Sequence, residues 1–299
     1  MKHIKDAELA AAQYTNRAFA KAQRSAGAAL LSLFSAWGIG AGEAVFVPAF
    51  VPQYVISSIL LCSAVPVVCD VSRETFCMSP KSLKKAVEHV LSERKLEPRL
   101  AIVCDYAGLA PQFEQLAKVC NSFGLLLAEE CSMGFGGTLK GKPLGSFGDA
   151  SIVGIERKSF GAGIVFTDNE RLFKELDKQS YCEAGGIGAP LPEADSRELS
   201  AFIESLPEHL KENTLAAQSI IEKLGAQGCE LIKTADDAAN AFEYIPFIAP
   251  KDLQTEGGKL QGAYFPKPAC QSKFLRRTGV KPEEITEAQS VAGRLFVVE

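Results

Sequence analysis

The sequence predicts an α/β protein: a mostly parallel sheet sandwiched by helices, followed by a smaller α+β unit. Three observations carry that expectation. Strand-like and helix-like apolar runs alternate through the first 170 residues. The strand-like runs, such as Pro66-Val-Val-Cys and Leu100-Ala-Ile-Val-Cys, are apolar at every position, as a parallel sheet covered on both faces requires. Beyond Lys178 the texture changes to a Gly- and Pro-rich stretch and then a long amphipathic run. The expected domains are residues 1–188 and 189–299.

Residues 28–37 read as a buried helix stopped by Gly38, and Val45-Phe-Val-Pro as a strand. A helix over 53–62 and a strand at 66–69 follow. Ser79 and Pro80 then open a helix as N-cap and first helical residue, because Ser accepts an orphan N–H and Pro has none to lose. Residues 100–104 form the next strand, 111–123 a helix and 125–128 a strand. The stretch 136–141 fits the first part of a phosphate loop, but Pro143 follows where a hydroxyl is needed. A hairpin turning at Gly141 is the better reading. Residues 183–192 read as a loop. The amphipathic run 196–224 reads as a helix bent or split by Pro207. Two strand-like pieces, at 230–232 and 242–245, precede a last helix near 283–296.

The 299 residues carry a net charge of −4, so no overall basic field attracts nucleic acid or anionic lipid. The apolar runs are interrupted by serines or by Pro48, Pro52 and Pro66, and none makes a membrane span. The N-terminus lacks the layout of a secretory signal. Nine cysteines are dispersed without a C-x-x-C pair, which implies reduced thiols and a cytoplasmic setting. The three histidines share no ligand spacing, so no metal site is assigned.

Ligands of parallel sheets collect at the carboxyl ends of the strands. Glu129 and Glu130 stand at one such end, and Lys158 at the exit of the next strand, within Glu156-Arg-Lys-Ser-Phe. A lysine can condense with an aldehyde cofactor while a carboxylate keeps a pyridinium nitrogen protonated. An exposed Lys–Glu pairing is the alternative.

The order of these pieces resembles the DegT/DnrJ/EryC1/StrS family of sugar aminotransferases, of the fold type I pyridoxal-phosphate class. Ser25-Ala-Gly-Ala-Ala-Leu resembles S-G-T-A-A-L. Gly38-Ile-Gly-Ala-Gly-Glu-Ala-Val-Phe-Val-Pro-Ala-Phe resembles G-I-G-P-G-D-E-V-I-V-P-A-F. Glu129-Glu-Cys-Ser-Met is similar to E-D-A-A-Q, and Lys140-Gly-Lys-Pro-Leu-Gly-Ser-Phe-Gly-Asp-Ala to K-G-R-x-V-G-S-L-G-D-A. Tyr264-Phe-Pro-Lys-Pro and Gly279-Val-Lys-Pro resemble Y-P-x-P and G-Y-K-P. The resemblance implies a seven-stranded large domain, a homodimer and a nucleotide-linked keto-sugar substrate. It also implies pyridoxal 5'-phosphate as cofactor, with Lys158 as the catalytic Schiff-base lysine.

By the same register Ser25, Ala26 and Gly27 lie at the phosphate, Pro52 at the ring-stacking position, Glu130 at the pyridinium acid and Met133 at its polar neighbour. Val153 stands for the family's phosphate-binding serine, and Glu193 and Asp195 for contacts supplied by a neighbouring subunit. Several of these depart from the family pattern. Glu130 is one methylene longer than Asp, Met133 donates no hydrogen bond, and the acids at 193 and 195 repel phosphate. Two functions are therefore expected in parallel: a sugar aminotransferase, or a non-catalytic member serving as a binding or partner subunit.

Overall fold

The computed structural model describes residues 2–180, 189–232, 237–250, 263–264, 285–291 and 294–298. In chain order α1 (Lys2–Thr15), β1 (Phe19–Gln23), α2 (Ala26–Trp37), β2 (Glu43–Pro48), α3 (Gln53–Leu61) and β3 (Val65–Cys69) come first. Next are α4 (Pro80–Glu93), β4 (Glu97–Cys104), a 3₁₀ turn at Tyr106–Gly108, α5 (Phe113–Phe123) and β5 (Leu126–Glu130). The hairpin β6 (Thr138–Leu139) and β7 (Lys142–Pro143) leads to β8 (Ala150–Glu156), β9 (Gly161–Thr167) and α6 (Glu170–Ser180).

Seven strands form one sheet in the order β1-β9-β8-β5-β4-β2-β3. Within it only β9 runs antiparallel to its neighbours β1 and β8; the β2–β3, β2–β4, β4–β5 and β5–β8 pairs are parallel. The expected α/β sandwich is therefore present. Side chains alternate across it. Val45, Val47, Ile102, Cys104 and Ile152 face the core shared with α2 and α3. Ala44, Phe46, Val103, Val153 and Ile155 face the core shared with α1, α4, α5 and α7.

The helices start and stop where their caps dictate. Ser25 accepts the Ala28 N–H at 3.2 Å and opens α2, which ends at Gly38 with φ of 69°. Between these caps Leu30, Leu33 and Phe34 are fully buried, each contributing on the order of 1.5–3 kcal/mol. Ser79 caps α4, with Pro80 at its start. Lys140 and Gly141 take φ of 51° and 73°, the pair of positive values that a two-residue type I′ hairpin needs.

Five elements are additional to the sequence reading: α1, β1, α6 and the two-residue strands at 238–239 and 263–264. The short β1, Phe-Ala-Lys-Ala-Gln, carries a buried lysine in mid-strand, which masks its apolar signal. Lys21 is accommodated by Asp177 at 2.8 Å and Glu8 at 3.3 Å.

Helix α7 (Glu193–Ala226) contains Pro207 yet runs on unbroken. Its first half, with Leu199, Phe202, Ile203 and Leu206, packs into the core of the large sheet. The remaining strands β10 (Glu230–Leu231), β11 (Ala238–Ala239), β12 (Ile245–Ile248), β13 (Ala263–Tyr264) and β14 (Leu295–Val298) follow, with α8 (Thr286–Val291) between the last two. Four of them form the antiparallel sheet β10-β12-β14-β13, while β11 extends the β6–β7 hairpin. The expected single helix near 283–296 is thus two elements, because the β-branched end of the chain pairs with β12. Asp70, at the end of β3, accepts the N–H groups of Glu287 and Ala288 at 2.9 and 3.0 Å and so caps α8. The motif at 279–282, residues 265–268 and most of the 183–192 loop lie outside the described residues.

Gly163 lies so close to the start of α2 that a Cβ there would run into the backbone of Ser25 and Ala26. Gly161 has nothing nearer than 3.8 Å. Gly163→Ala is expected to cost at least about 2 kcal/mol in urea unfolding, from overpacking against immovable backbone. Gly161→Ala should stay within about 1 kcal/mol. Equal losses would refute the close-approach account.

Candidate ligand cavity at the strand ends

The segments leaving β2, β4, β5 and β8 surround a cavity of about 390 Å³. Phe50, Val51, Pro52 and Tyr54 form one side, Tyr106 and Met133 the floor region, and Gly154–Arg157 another side. Phe202 of α7, Glu243 and Tyr244 complete it. The lining is largely aromatic with a few polar groups, the usual composition of a small-molecule site.

Arg157 is its cation. The guanidinium lies 2.7 Å from Glu243 and 4.7 Å above the Phe202 ring, so it is fixed by an ion pair and a cation–π contact. Glu130 is 2% exposed and lies behind the wall. Its Oε1 accepts the Tyr54 hydroxyl at 2.8 Å and the Ser132 N–H at 3.1 Å. Burial raises its pKa, against the lowering effect of those hydrogen bonds. Burial, reinforced by the Glu130 charge, holds the Tyr54 phenol well above its ordinary value.

Lys158 sits elsewhere. Pairing of β8 with β9 continues to Glu156 and Gly161, leaving a four-residue connection closed by Arg157 N–H donating to the Phe160 carbonyl at 2.9 Å. Lys158 stands in that connection with its side chain exposed. It lines a separate recess of about 420 Å³ together with Arg24, Ser25 and Ser159. Ala26, Ile155, Glu156 and Arg157 belong to both spaces.

The other expected positions divide similarly. Ala26, Pro52 and Met133 line the cavity, whereas Ser25 lines only the recess. Gly27 lines neither, though it follows directly in the first turn of α2. Val153 is fully buried on the opposite face of the sheet; strand alternation brings Gly154 to the cavity instead. Glu193 and Asp195 occupy the first turn of α7, with Glu193 exposed and 4.0 Å from His3. Phe50 and Tyr54, which the sequence suggests as an exposed apolar rim, are instead buried and half-buried and line this cavity. Ser132, Arg157, Phe202 and Glu243 carry no signal of their own in the sequence, and Phe202 and Glu243 come from distant segments that only folding brings together.

Glu129, next in sequence to Glu130, points to the other face. It is fully buried and accepts the Gly145 and Phe147 N–H groups at 2.7 and 2.8 Å. Asp105 and Cys131 stand beside it, the candidate ligand atoms of all three lying within 4.8 Å. Desolvation, then the neighbouring acids, hold Asp105 well above the carboxylate range, and desolvation raises Glu129 to about 7. Both Asp105 carboxylate oxygens are buried without a donor of their own, and two carboxyl groups this close favour a single proton held between them. Burial likewise pushes the Cys131 thiol upward. The described cysteines are all free.

A large, mainly parallel sheet with helices on both faces and a cavity at its strand ends defines a ligand-binding α/β fold. Solved structures agree: an aminotransferase from Brucella abortus superposes with a TM-score of 0.85 at 20% identity, covering 100% of this chain and 85% of that one. The S. venezuelae protein DesV, described in complex with a ketimine intermediate, gives 0.86 at 16%, covering 99% and 83%.

The description "DegT/DnrJ/EryC1/StrS aminotransferase family" matches residues 2–186, and the chain belongs to that family. Among curated relatives, L-glutamine:2-deoxy-scyllo-inosose aminotransferase of Streptomyces fradiae is 31% identical over 170 residues, 54% of this chain and 38% of that protein. GDP-perosamine synthase of Vibrio cholerae is 32% identical over 123 residues, 41% and 32% respectively. The matched stretches thus span less than two fifths of these relatives' own lengths. No described helix is long and apolar enough to cross a membrane.

The Asp105–Glu129 pair gives stability a definite pH dependence. Both folded-state pKa values are raised, so the folded chain holds an extra proton. Its contribution is complete below the unfolded carboxylate range and is lost as pH rises through about 7. Tm should therefore fall between pH 5 and 8 (about that window), and Asp105→Asn should flatten the slope. An unchanged slope in a folded Asp105→Asn would remove the pair as its source.

Proposed function

We propose that this chain is a non-catalytic member of its family, a binding or partner subunit. Its strand-end cavity takes a small molecule without pyridoxal phosphate and without a Schiff base. One observation carries the reading: Lys158 is exposed in a four-residue hairpin connection and lines the adjoining recess rather than the cavity wall that covers Glu130.

The rest of the site supports it. A pyridoxal ring needs an amine at its aldehyde carbon, a carboxylate free to receive its ring N–H, and donors for its oxygens. Here Glu130 already receives a phenol and a backbone N–H. Met133 offers no donor. The cavity's Arg157 is engaged by Glu243, and with Glu156 also in the lining the acids outnumber the bases there. Each group left unpaired would cost about 1–3 kcal/mol. The residues therefore do not fit the cofactor, and no chemical step is assigned through it.

A second reading is the pyridoxal-phosphate-dependent amination of a nucleotide-linked keto-sugar at Lys158. It is favoured by one feature: Lys158 shares its recess with Ser25, the N-cap of α2, and that recess adjoins the cavity along common walls. Homodimerisation and a cytoplasmic setting are proposed on the strength of the family resemblance.

Pyridoxal phosphate titration followed by borohydride and peptide mapping separates the two. Under the first reading, binding is no tighter than about 1 mM, no visible band saturates, and modification is spread over exposed lysines. Saturable, stoichiometric reduction onto Lys158, abolished in Lys158→Ala, would establish the enzymatic reading instead.

A further inference from the structure

The acid behind the cavity wall is answered by the chain itself. Tyr54 enters in the first turn of α3, two residues after Pro52. Its hydroxyl donates to Glu130 Oε1 at 2.8 Å, and the Ser132 N–H reaches the same oxygen at 3.1 Å. Ser132 Oγ lies 3.5 Å from the phenol oxygen and accepts the Gly154 N–H at 2.7 Å. Strand β8, the turn after β5 and the start of α3 are thus joined through one carboxylate.

We infer that Tyr54 is the specificity-determining residue of this cavity: its phenol occupies, against Glu130, the place that the ring N–H of a protonated nitrogen heterocycle would take, and so excludes such rings. This rests on the reading that the site does not work through a Schiff base, and adds what enforces it.

A carboxylate has two lone pairs on each oxygen; Oε1, the one beside Tyr54 and Ser132, is served by two donors, and the Cys104 thiol hydrogen-bonds the same carboxylate. A pyridinium entering from the cavity could reach Oε1 only by displacing the phenol, which would strand a buried hydroxyl without its acceptor. Displacement is also opposed sterically, because the Tyr54 ring is part of the wall and its backbone is held in a helix beside Phe50. The exchange would trade one charge-assisted bond for another while adding the cost of moving an anchored aromatic. What the cavity admits is accordingly a ligand that makes no claim on Glu130.

The probe is pyridoxine, which has the pyridine ring but no aldehyde, so surface lysines cannot capture it. Calorimetry on the full chain should show no saturable binding to the wild type or to Tyr54→Phe, which keeps the ring in place. Tyr54→Ala should gain at least tenfold in affinity, and Tyr54→Ala/Glu130→Gln should lose that gain. Should the alanine variant fail to fold, Tyr54→Leu replaces it. Tyr54→Phe has its own signature: its Tm deficit should shrink as pH falls, because a protonated Glu130 no longer needs the donor.

Wild type binding pyridoxine as tightly as Tyr54→Ala would overturn the inference. So would a folded Tyr54→Ala (or Leu) that gains nothing, a gain that survives Glu130→Gln, or a Tyr54→Phe deficit equal at every pH. Borohydride trapping on Lys158 of the wild type would instead bring down the non-catalytic reading. Absence of trapping together with absence of any gain would remove only the role of Tyr54.

Discussion

The architecture around the cavity depends on how Glu129 is held. A fully buried carboxylate accepts the Gly145 and Phe147 N–H groups, while Arg17 donates to the carbonyls of Gly145, Phe147 and Gly148 and pairs with Asp168 at 2.7 Å. Both sides of one loop are therefore gripped. That loop feeds β8, and Glu129 itself is the penultimate residue of β5. The relative heights of β5 and β8, and with them Ser132 and Gly154, follow from this clamp. Charges so deep in a sheet persist only when fully hydrogen-bonded, so the clamp is stringent as well as central.

Two adjacent acids then meet opposite fates through the period of a strand. Glu129 faces the α1–α7 side and serves the scaffold, sharing a proton with Asp105. Glu130 faces the cavity side and is met by Tyr54. Neither is paired with an ammonium group, so both are held by hydrogen bonds and by burial that favours the protonated form. The dipeptide reads in the sequence as one strand-end feature and is in fact two separate interior ones.

Much of the fold was legible for definite reasons. The both-face apolar strands and the Ser and Gly caps of α2 and α4 speak through local pattern, and the family resemblance supplied the seven-stranded sheet. β1 was hidden because a strand with a buried lysine imitates a surface segment. The end of the chain was misread as one helix because its strand character depends on a distant partner, β12. Site residues were harder. Register placed Lys158, Glu130, Pro52 and Met133 near one another in principle, but the wall formed by Phe202 and Glu243 arises from tertiary packing alone. Val153 shows the limit most clearly: an alignment offset by one residue exchanges the faces of a strand.

The β8–β9 hairpin carries an electrostatic consequence. With pairing continued to Glu156 and Gly161, the connection is only four residues long, and adjacent positions in it face different spaces: Arg157 reaches the cavity wall while Lys158 lines only the recess. A shift of one residue in that turn would exchange which of the two cations meets the cavity, so the length of the hairpin, as much as its composition, sets the charge presented there.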